Sequence, residues 1–137
     1  MRSFLAVLLF LSGAVALHAQ TTPYKVVFDL TSKDSLDQKA VVRWIKEITG
    51  PNPNAKLEIV MYGKGYELVM PEKSAYLPEI REAMKNENVS FAVCQIAMKN
   101  NHIEKDQLLP GVRTVPDGIY EIISKQHDQW GYIKVAH

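Results

Sequence analysis

The feature of the sequence that most constrains its fold is the short apolar run Val89-Ser90-Phe91-Ala92-Val93-Cys94-Gln95, which contains the only cysteine of the chain. The run is rich in β-branched and aromatic residues, and helix-like segments precede and follow it. This pattern is typical of a strand buried inside a parallel sheet, whose two faces are covered by helices. Cys94 is therefore predicted to lie at the carboxyl edge of an α/β sheet, where ligands bind.

Four further segments predict strands of the same sheet, at residues 24–30, 57–62, 112–115 and 130–135. Helices are predicted between them, and the first is capped by Ser32 or Asp34 and the last by Asp117. Residues 66–70 are predicted to form a short extended piece, and residues 104–109 a helical turn. The order of these elements predicts an α/β layer sandwich with a mainly parallel sheet of about five strands and right-handed crossovers.

The apolar positions of two helices predict which faces they bury. In the first helix they recur at helical spacing at Leu36, Ala40, Val41, Trp44, Ile45 and Ile48. In the last helix the expected buried residues are Ile119, Ile122 and Ile123. Both helices are thus expected to pack on the sheet through an apolar stripe.

The first 19 residues have the order of features that a secretory signal peptide requires. Arg2 supplies a positive start, residues 4–11 form the apolar core, and small residues lead to a cleavage site after Ala19, with Ala16 as the competing site. The apolar core is shorter than a membrane-spanning helix needs, so a retained anchor is the less favoured alternative. We expect one mature domain, residues 20–137, in the periplasm or outside the cell.

Charge and cysteine content limit the functions that remain. Cleavage removes Arg2 and no acidic residue, which leaves the mature chain formally neutral. This balance argues against nucleic-acid binding, and no basic amphipathic stretch predicts binding to a membrane surface. A single cysteine cannot form an intramolecular disulfide, so Cys94 is buried and inert, paired with another chain, or kept reactive.

Cys94 is the candidate catalytic residue. A thiolate at a helix N-terminus is stabilised by the local positive potential, and we expect the thiol to be partly accessible. The alternative is a small apolar side chain that fills the core. The histidines match no zinc-binding spacing, so no metal site is predicted. A Cys–His pair in space stays open, although a solvent-exposed His102 is favoured.

Two glycines, Gly63 and Gly65, follow the second predicted strand. A dinucleotide-binding loop would need a third glycine where Leu68 stands, and no phosphate-loop motif occurs. A turn that needs positive φ is therefore favoured over a loop that lines a ligand. If a small ligand binds beside Cys94, we expect Gly63, Gly65 and Gln95 to contact it.

Several motifs together resemble the DsrE/DsrF-like proteins over nearly the whole mature chain. They are the opening strand, Tyr62-Gly63-x-Gly65, Val89-x-Phe91-x-Val93-Cys94, Leu109-Pro110-Gly111-Val112, Pro116-Asp117-Gly118-Ile119 and Gln126-x3-Trp130-Gly131-Tyr132-Ile133-Lys134. The resemblance implies a flavodoxin-like three-layer sandwich, assembly into homotrimers or hexamers, and a cysteine that carries sulfur as a persulfide between partner proteins. Cys94 matches that cysteine in position, although the sulfur relays of the family are cytoplasmic and this chain looks exported.

Three functional hypotheses follow. The first is a sulfur carrier or sulfurtransferase in which Cys94 holds a sulfane sulfur, without metal or organic cofactor, and exchanges it with a donor or acceptor protein. The second is a non-catalytic oligomeric module that binds a small ligand beside an inert Cys94. The third is a purely structural oligomer.

Overall fold

The computed structural model describes residues 22–136, so the predicted signal peptide lies outside the described residues. The strands are β1 (Lys25–Leu30), β2 (Lys56–Met61), β3 (Val89–Cys94), β4 (Arg113–Val115) and β5 (Gly131–Lys134). The α-helices are α1 (Ser35–Thr49), α2 (Leu77–Ala83), α3 (Gln95–Asn100) and α4 (Gly118–His127). Two 3-10 helices cover Gly65–Val69 and Lys105–Gln107.

The described strands form one sheet in the order β4-β3-β2-β1-β5, and every pair of neighbours runs parallel. Leu30 of β1 lies opposite Met61, Met61 opposite Val93, and Cys94 opposite Val115. The ends of β1 to β4 therefore meet at one edge, as expected for ligand sites in parallel sheets. The predicted five-stranded α/β fold is confirmed, and β3 is an interior strand.

One face of the sheet, here called the apolar face, packs against α1, α2 and Met98 of α3. Alternate residues of the inner strands supply its side chains, and Phe28, Leu30 and Ile59 are completely buried. The ring of Phe28 stacks on that of Trp44 at 6.0 Å between centroids. In α1, Leu36 is 57% exposed, so its predicted place on the buried stripe is wrong.

The opposite face, here called the charged face, packs against α4. The helix turns Gly118, Glu121, Ile122 and Lys125 toward the sheet, at the i, i+3, i+4, i+7 spacing of one helical face. Ile119 and Ile123 are 57% and 55% exposed, so their predicted burial is wrong. Glu58 of β2 is buried on this face and pairs with Lys125. On α4, the charged residues Glu121 and Lys125 therefore take positions that apolar side chains of a buried stripe would fill.

Residues 66–70 do not form the predicted extended piece. Residues 66–69 lie in the 3-10 helix Gly65–Val69, which Met70 follows, and Tyr66, Leu68 and Val69 are all buried. β1 and β3 pair with the two edges of β2, so the segment that follows β2 cannot pair beside that strand. Gly65, at the start of this helix, packs so tightly on β1 that a Cβ at this position would collide with the carbonyl of Leu30.

The predicted helix caps are confirmed in detail. The carboxylate of Asp34 accepts a hydrogen bond from the Leu36 N–H at 2.7 Å, which assigns the α1 cap to Asp34 and not to Ser32. Asp117 accepts from the N–H groups of Ile119 and Tyr120 at 2.9 and 3.3 Å. Within residues 22–136 no helix combines the length and apolar character needed to cross a bilayer.

Candidate functional site

Cys94 is the last residue of β3 and the N-cap residue of α3, which begins at Gln95. It is only 4% exposed, so the expected partial accessibility of its thiol is not met in the single chain. The start of α4 covers it: a Cβ placed on Gly118 would lie 3.1 Å from the Cβ of Cys94. Cys94 thus lies between the starts of two helices at the carboxyl edge of the sheet.

A cavity of about 210 Å³ opens beside Cys94. Its apolar lining comes from Ile96, Ala97 and Ile119, and its polar lining from Tyr62, Asn100, Asn101 and Asp117. The volume corresponds to about seven water molecules at about 30 Å³ each. The cavity therefore has room for an additional sulfur atom on Cys94 or for a small ligand.

The predicted ligand-binding residues do not all meet at this cavity. Gly63 lines it and adopts a positive φ of 56°, as the turn interpretation requires. Gly65 does not line it and packs on the backbone of Leu30 instead. The exposed side chain of Gln95 points elsewhere and donates to the Thr114 hydroxyl at 3.2 Å. Of the three, only Gly63 stays a candidate for contact with a ligand in this cavity.

Asp29, a residue that the sequence did not single out, organises the same edge of the sheet. It is 4% exposed and accepts hydrogen bonds from the phenols of Tyr132 and Tyr62, at 2.7 and 3.2 Å. Lys134 donates to its other oxygen at 3.1 Å and to the hydroxyl of Thr31 at 3.1 Å. The available signal was an acidic residue near the end of an otherwise apolar strand, which predicts a buried charge with partners.

The Asp29 network reaches the Cys94 cavity through Tyr62. Burial, followed by the charge of Asp29 and the hydrogen bond to it, raises the pKa of Tyr62 to about 12, and proximity to Cys94 adds to the effect. The hydrogen bond to Asp29, followed by burial, raises the pKa of Tyr132 to about 12. Both phenols therefore stay protonated near neutral pH and donate to Asp29, and Tyr62 also lines the cavity.

Of two further residues considered in the sequence, His102 does not line the cavity and Asp117 does. His102 is exposed and has a positive φ of 53°, as expected for a loop residue. Asp117 lines the cavity, but its carboxylate caps α4. Among residues 22–136 no three histidine, cysteine or acidic side chains are grouped so that they could hold a metal ion.

A second cavity of about 210 Å³ lies between α1 and α2 and is lined by residues such as Ile45, Ile80 and Val89. Neither Cys94 nor a residue of the Asp29 network contributes to it. The cavity at Cys94 is the stronger candidate, because it combines a potential nucleophile with the carboxyl edge of a parallel sheet.

A family model described as the DsrE/DsrF-like family matches residues 25–135. A solved structure of a protein of unknown function from Methanobacterium thermoautotrophicum is similar, with a TM-score of 0.75 and 24% sequence identity over 81% of this chain and 98% of that chain. At this identity the likeness shows the fold alone. A search of curated proteins finds no match.

Proposed function

The chain belongs to the DsrE/DsrF-like family, and from this membership and the geometry at Cys94 we propose that it carries sulfane sulfur as a persulfide on Cys94. The membership itself suggests a role related to sulfur relay. The observation that carries the finer proposal is the position of Cys94, at the carboxyl edge of the sheet and beside a cavity of about 210 Å³. The outer sulfur of a persulfide fits there beside the apolar side chains of Ile96 and Ile119.

The proposed reaction is a thiol–persulfide exchange. The thiolate of Cys94 attacks the outer sulfur of a donor persulfide, R–S–SH, and a new S–S bond forms as the donor's S–S bond breaks. The leaving group is the donor thiolate, R–S⁻, and Cys94 becomes Cys94–S–SH. Transfer to an acceptor thiol repeats the step in reverse, so neither an oxidant nor a reductant is consumed.

The intact mass of the protein as isolated tests this proposal. We expect a fraction of the protein to carry one or more additional sulfur atoms, and we expect reduction with a thiol to remove them. The Cys94→Ser variant serves as the control and should have only the mass of its own sequence. Protein that never gains sulfur, even after incubation with a persulfide donor, would overturn the proposal.

A second candidate function is a small-ligand module with an inert Cys94. The 4% exposure of Cys94 and the apolar part of the cavity lining favour it. Native mass spectrometry separates the two, since a ligand retained without a covalent bond would disappear on denaturation. In that case the Cys94→Ser variant would retain the ligand, whereas a sulfur carrier would lose its added mass.

The proposal extends to assembly and address. Ile119, Tyr120 and Ile123 are exposed on α4, and a homotrimer or hexamer would cover apolar area of this kind. Light scattering coupled to size exclusion tests the assembly, and a monomer at micromolar concentration would contradict it.

Export with removal of residues 1–19 would leave Gln20 as the first residue, which amino-terminal analysis of protein from its native host tests. Recovery of the full-length chain from the cytosol would overturn the export.

A further inference from the structure

Cys94 lines a cavity that is small compared with a folded partner. The side chain of Cys94 is 4% exposed, and α4 covers it, since a Cβ placed on Gly118 would lie 3.1 Å from the Cβ of Cys94. The cavity of about 210 Å³ has room for about seven water molecules. A persulfide on a folded protein would have to bring its backbone into this space, whereas a short molecular persulfide enters alone. The volume therefore favours a small donor of sulfur.

The lining of the cavity offers no positive charge to an anion. Among the described residues, no lysine, arginine or histidine lines it, and Asp117 is its one acidic side chain. Tyr62 also lines it and stays protonated near neutral pH, because burial and the charge of Asp29 raise its pKa to about 12. A donor with a carboxylate in its body would lose part of its hydration here and meet another carboxylate.

The groups around the cavity do not supply the missing positive charge. Lys134 lies 5.7 Å from the centre of the Tyr62 ring, but it does not line the cavity and is paired with Asp29 at 3.1 Å. The first N–H groups of α4 donate to the carboxylate of Asp117, at 2.9 and 3.3 Å, so they are already used. Two exposed lysines next to lining residues in the sequence, Lys64 and Lys99, do not line the cavity.

Apolar side chains from two helices complete the lining. Ile96 of α3 and Ile119 of α4 both contribute to it, and they are 51% and 57% exposed, so they border its opening to solvent. We propose that Cys94 takes its sulfur from a small persulfide, R–S–SH, whose organic body R is uncharged. This inference rests on the proposed function and names the substrate class of the same site.

The transfer step leaves no charge of the donor in the cavity. The thiolate of Cys94 forms a bond to the outer sulfur of R–S–SH, and the S–S bond of the donor breaks. Cys94 becomes Cys94–S–SH, and the electron pair of the broken bond stays on the leaving group, R–S⁻. This group takes up a proton from water and leaves as an uncharged thiol, R–SH.

Two persulfides of similar size test the charge requirement. The persulfide of 2-mercaptoethanol ends in a hydroxyl group, and that of thioglycolate ends in a carboxylate. Mass spectrometry follows the loading of sulfur on the full chain, and each rate is divided by the rate of the same donor with unfolded protein, which corrects for its intrinsic reactivity. We expect the relative rate of the hydroxyl donor to exceed that of the carboxylate donor by about tenfold.

Variants of the lining should change this preference in a predictable direction. Asp117→Asn keeps an acceptor for the cap of α4 and removes the negative charge, so it should reduce the preference for the hydroxyl donor. Ile119→Lys adds a cation to the lining and should reduce it further. The control is Ile123→Lys, one turn along the same helix, because Ile123 is 55% exposed and does not line the cavity. It should keep the preference of the wild type, and it matches any effect of a lysine on assembly through α4.

An uncharged but bulky donor, the persulfide of adamantanethiol, tests the size requirement. Its relative rate in the wild type should be lower than that of the 2-mercaptoethanol persulfide. Ile96→Ala removes a side chain from the border of the cavity and should narrow this difference. Leu36→Ala, at an exposed residue outside the cavity, is the control and should leave the difference unchanged.

The outcomes separate this inference from the proposed function. Loading at equal relative rates from the hydroxyl and carboxylate donors, or a preference that neither Asp117→Asn nor Ile119→Lys changes, would overturn the requirement for an uncharged body. Equal relative rates for the two uncharged donors would overturn the requirement for a small one. In these cases Cys94 would still be a sulfur carrier. Failure of every donor to load the folded wild type would instead overturn the proposed function.

Discussion

The two faces of the sheet are held to their helices by different forces. On the apolar face, completely buried side chains such as Phe28 and Ile59 pack against α1 and α2. On the charged face, Val27, Val60 and Ile122 form a small apolar cluster, and Glu58 pairs with Lys125 of α4. The second buried carboxylate, Asp29, binds Tyr62, Tyr132 and Lys134 at the ends of β2 and β5. Nonspecific burial stabilises the first face, whereas the second depends on specific partners. Cys94 lies on the charged face, where Gly118 of α4 packs against it.

The comparison predicts that the largest loss of stability comes from the apolar face. Phe28→Ala should lower the free energy of unfolding by about 3–5 kcal/mol, because it removes a buried ring and leaves a cavity beside Trp44. Chemical denaturation measures the change. Glu87→Ala, which truncates an exposed side chain ahead of β3, is the control and should stay within about 0.5 kcal/mol. A loss below about 1 kcal/mol for Phe28→Ala would contradict the claim that burial of side chains stabilises the apolar face.

On the charged face the largest effect should come from loss of one partner of Glu58. Lys125→Met should cost about 2–3 kcal/mol, since it leaves the carboxylate of Glu58 buried without its nearest cation. The value is reduced from that of a fully buried pair because Lys125 is 21% exposed. Lys99→Met, on the exposed surface of α3, is the control. Equal stability of the two variants in chemical denaturation would show that the Glu58 pair does not hold α4.

A smaller effect is expected at the start of α4. Asp117→Ala should cost about 1 kcal/mol, because the N–H groups of Ile119 and Tyr120 lose their acceptor. Asp117→Ser, which can accept the same hydrogen bonds, should recover most of the loss. Thermal or chemical unfolding of both variants provides the measurement. If Asp117→Ser were no more stable than Asp117→Ala, the capping role would be wrong.

The smallest expected effect concerns the tyrosines bound to Asp29. Their pKa values are raised from 10.0 to about 12 in the folded protein, so their contribution to stability is complete below pH 10 and is lost as the pH rises through 12. Asp29→Asn should lower both values, and Tyr132 should change more, because the hydrogen bond to Asp29 is its leading cause. Ultraviolet titration of the phenols, with Tyr132→Phe to separate the two, measures this. The control Asp106→Asn, at an exposed residue, should leave both titrations unchanged. The same unchanged titration in Asp29→Asn would contradict the network.

The apolar face could be predicted from the sequence, and most of the charged face could not. Strands and helix caps follow from local patterns, which is why β3 and the caps Asp34 and Asp117 were found. The burial of Ile119 and Ile123 was predicted wrongly, because the stripe that faces the sheet contains Glu121 and Lys125. Lys125 pairs with Glu58, and Glu121 pairs with Arg113 and Lys125. Glu58 is far from α4 in the sequence and Arg113 lies on another element, so their part in the pairing gives no local signal in the sequence.

In the candidate site too, the features with a local sequence signal could be predicted, and those that depend on distant residues could not. Cys94 could be placed at the edge of the sheet from a single strand and the helix after it. The Asp29 network joins the ends of β1, β2 and β5, and it exists only when the sheet order brings those ends together. Gly65 and Gln95 are close to the site in sequence, but the directions of their backbone and side chain take them away from the cavity.

The central claim is that Cys94 carries sulfur in the folded protein, and a transfer experiment tests it most directly. The protein is incubated with a persulfide donor whose outer sulfur is a heavy isotope, the sample is alkylated, and its peptides are mapped by mass spectrometry. We expect the label on the peptide that contains Cys94, and we expect its loss when an acceptor thiol is added. Folded protein that leaves the labelled sulfur on the donor, while unfolded protein accepts it on Cys94, would contradict the account.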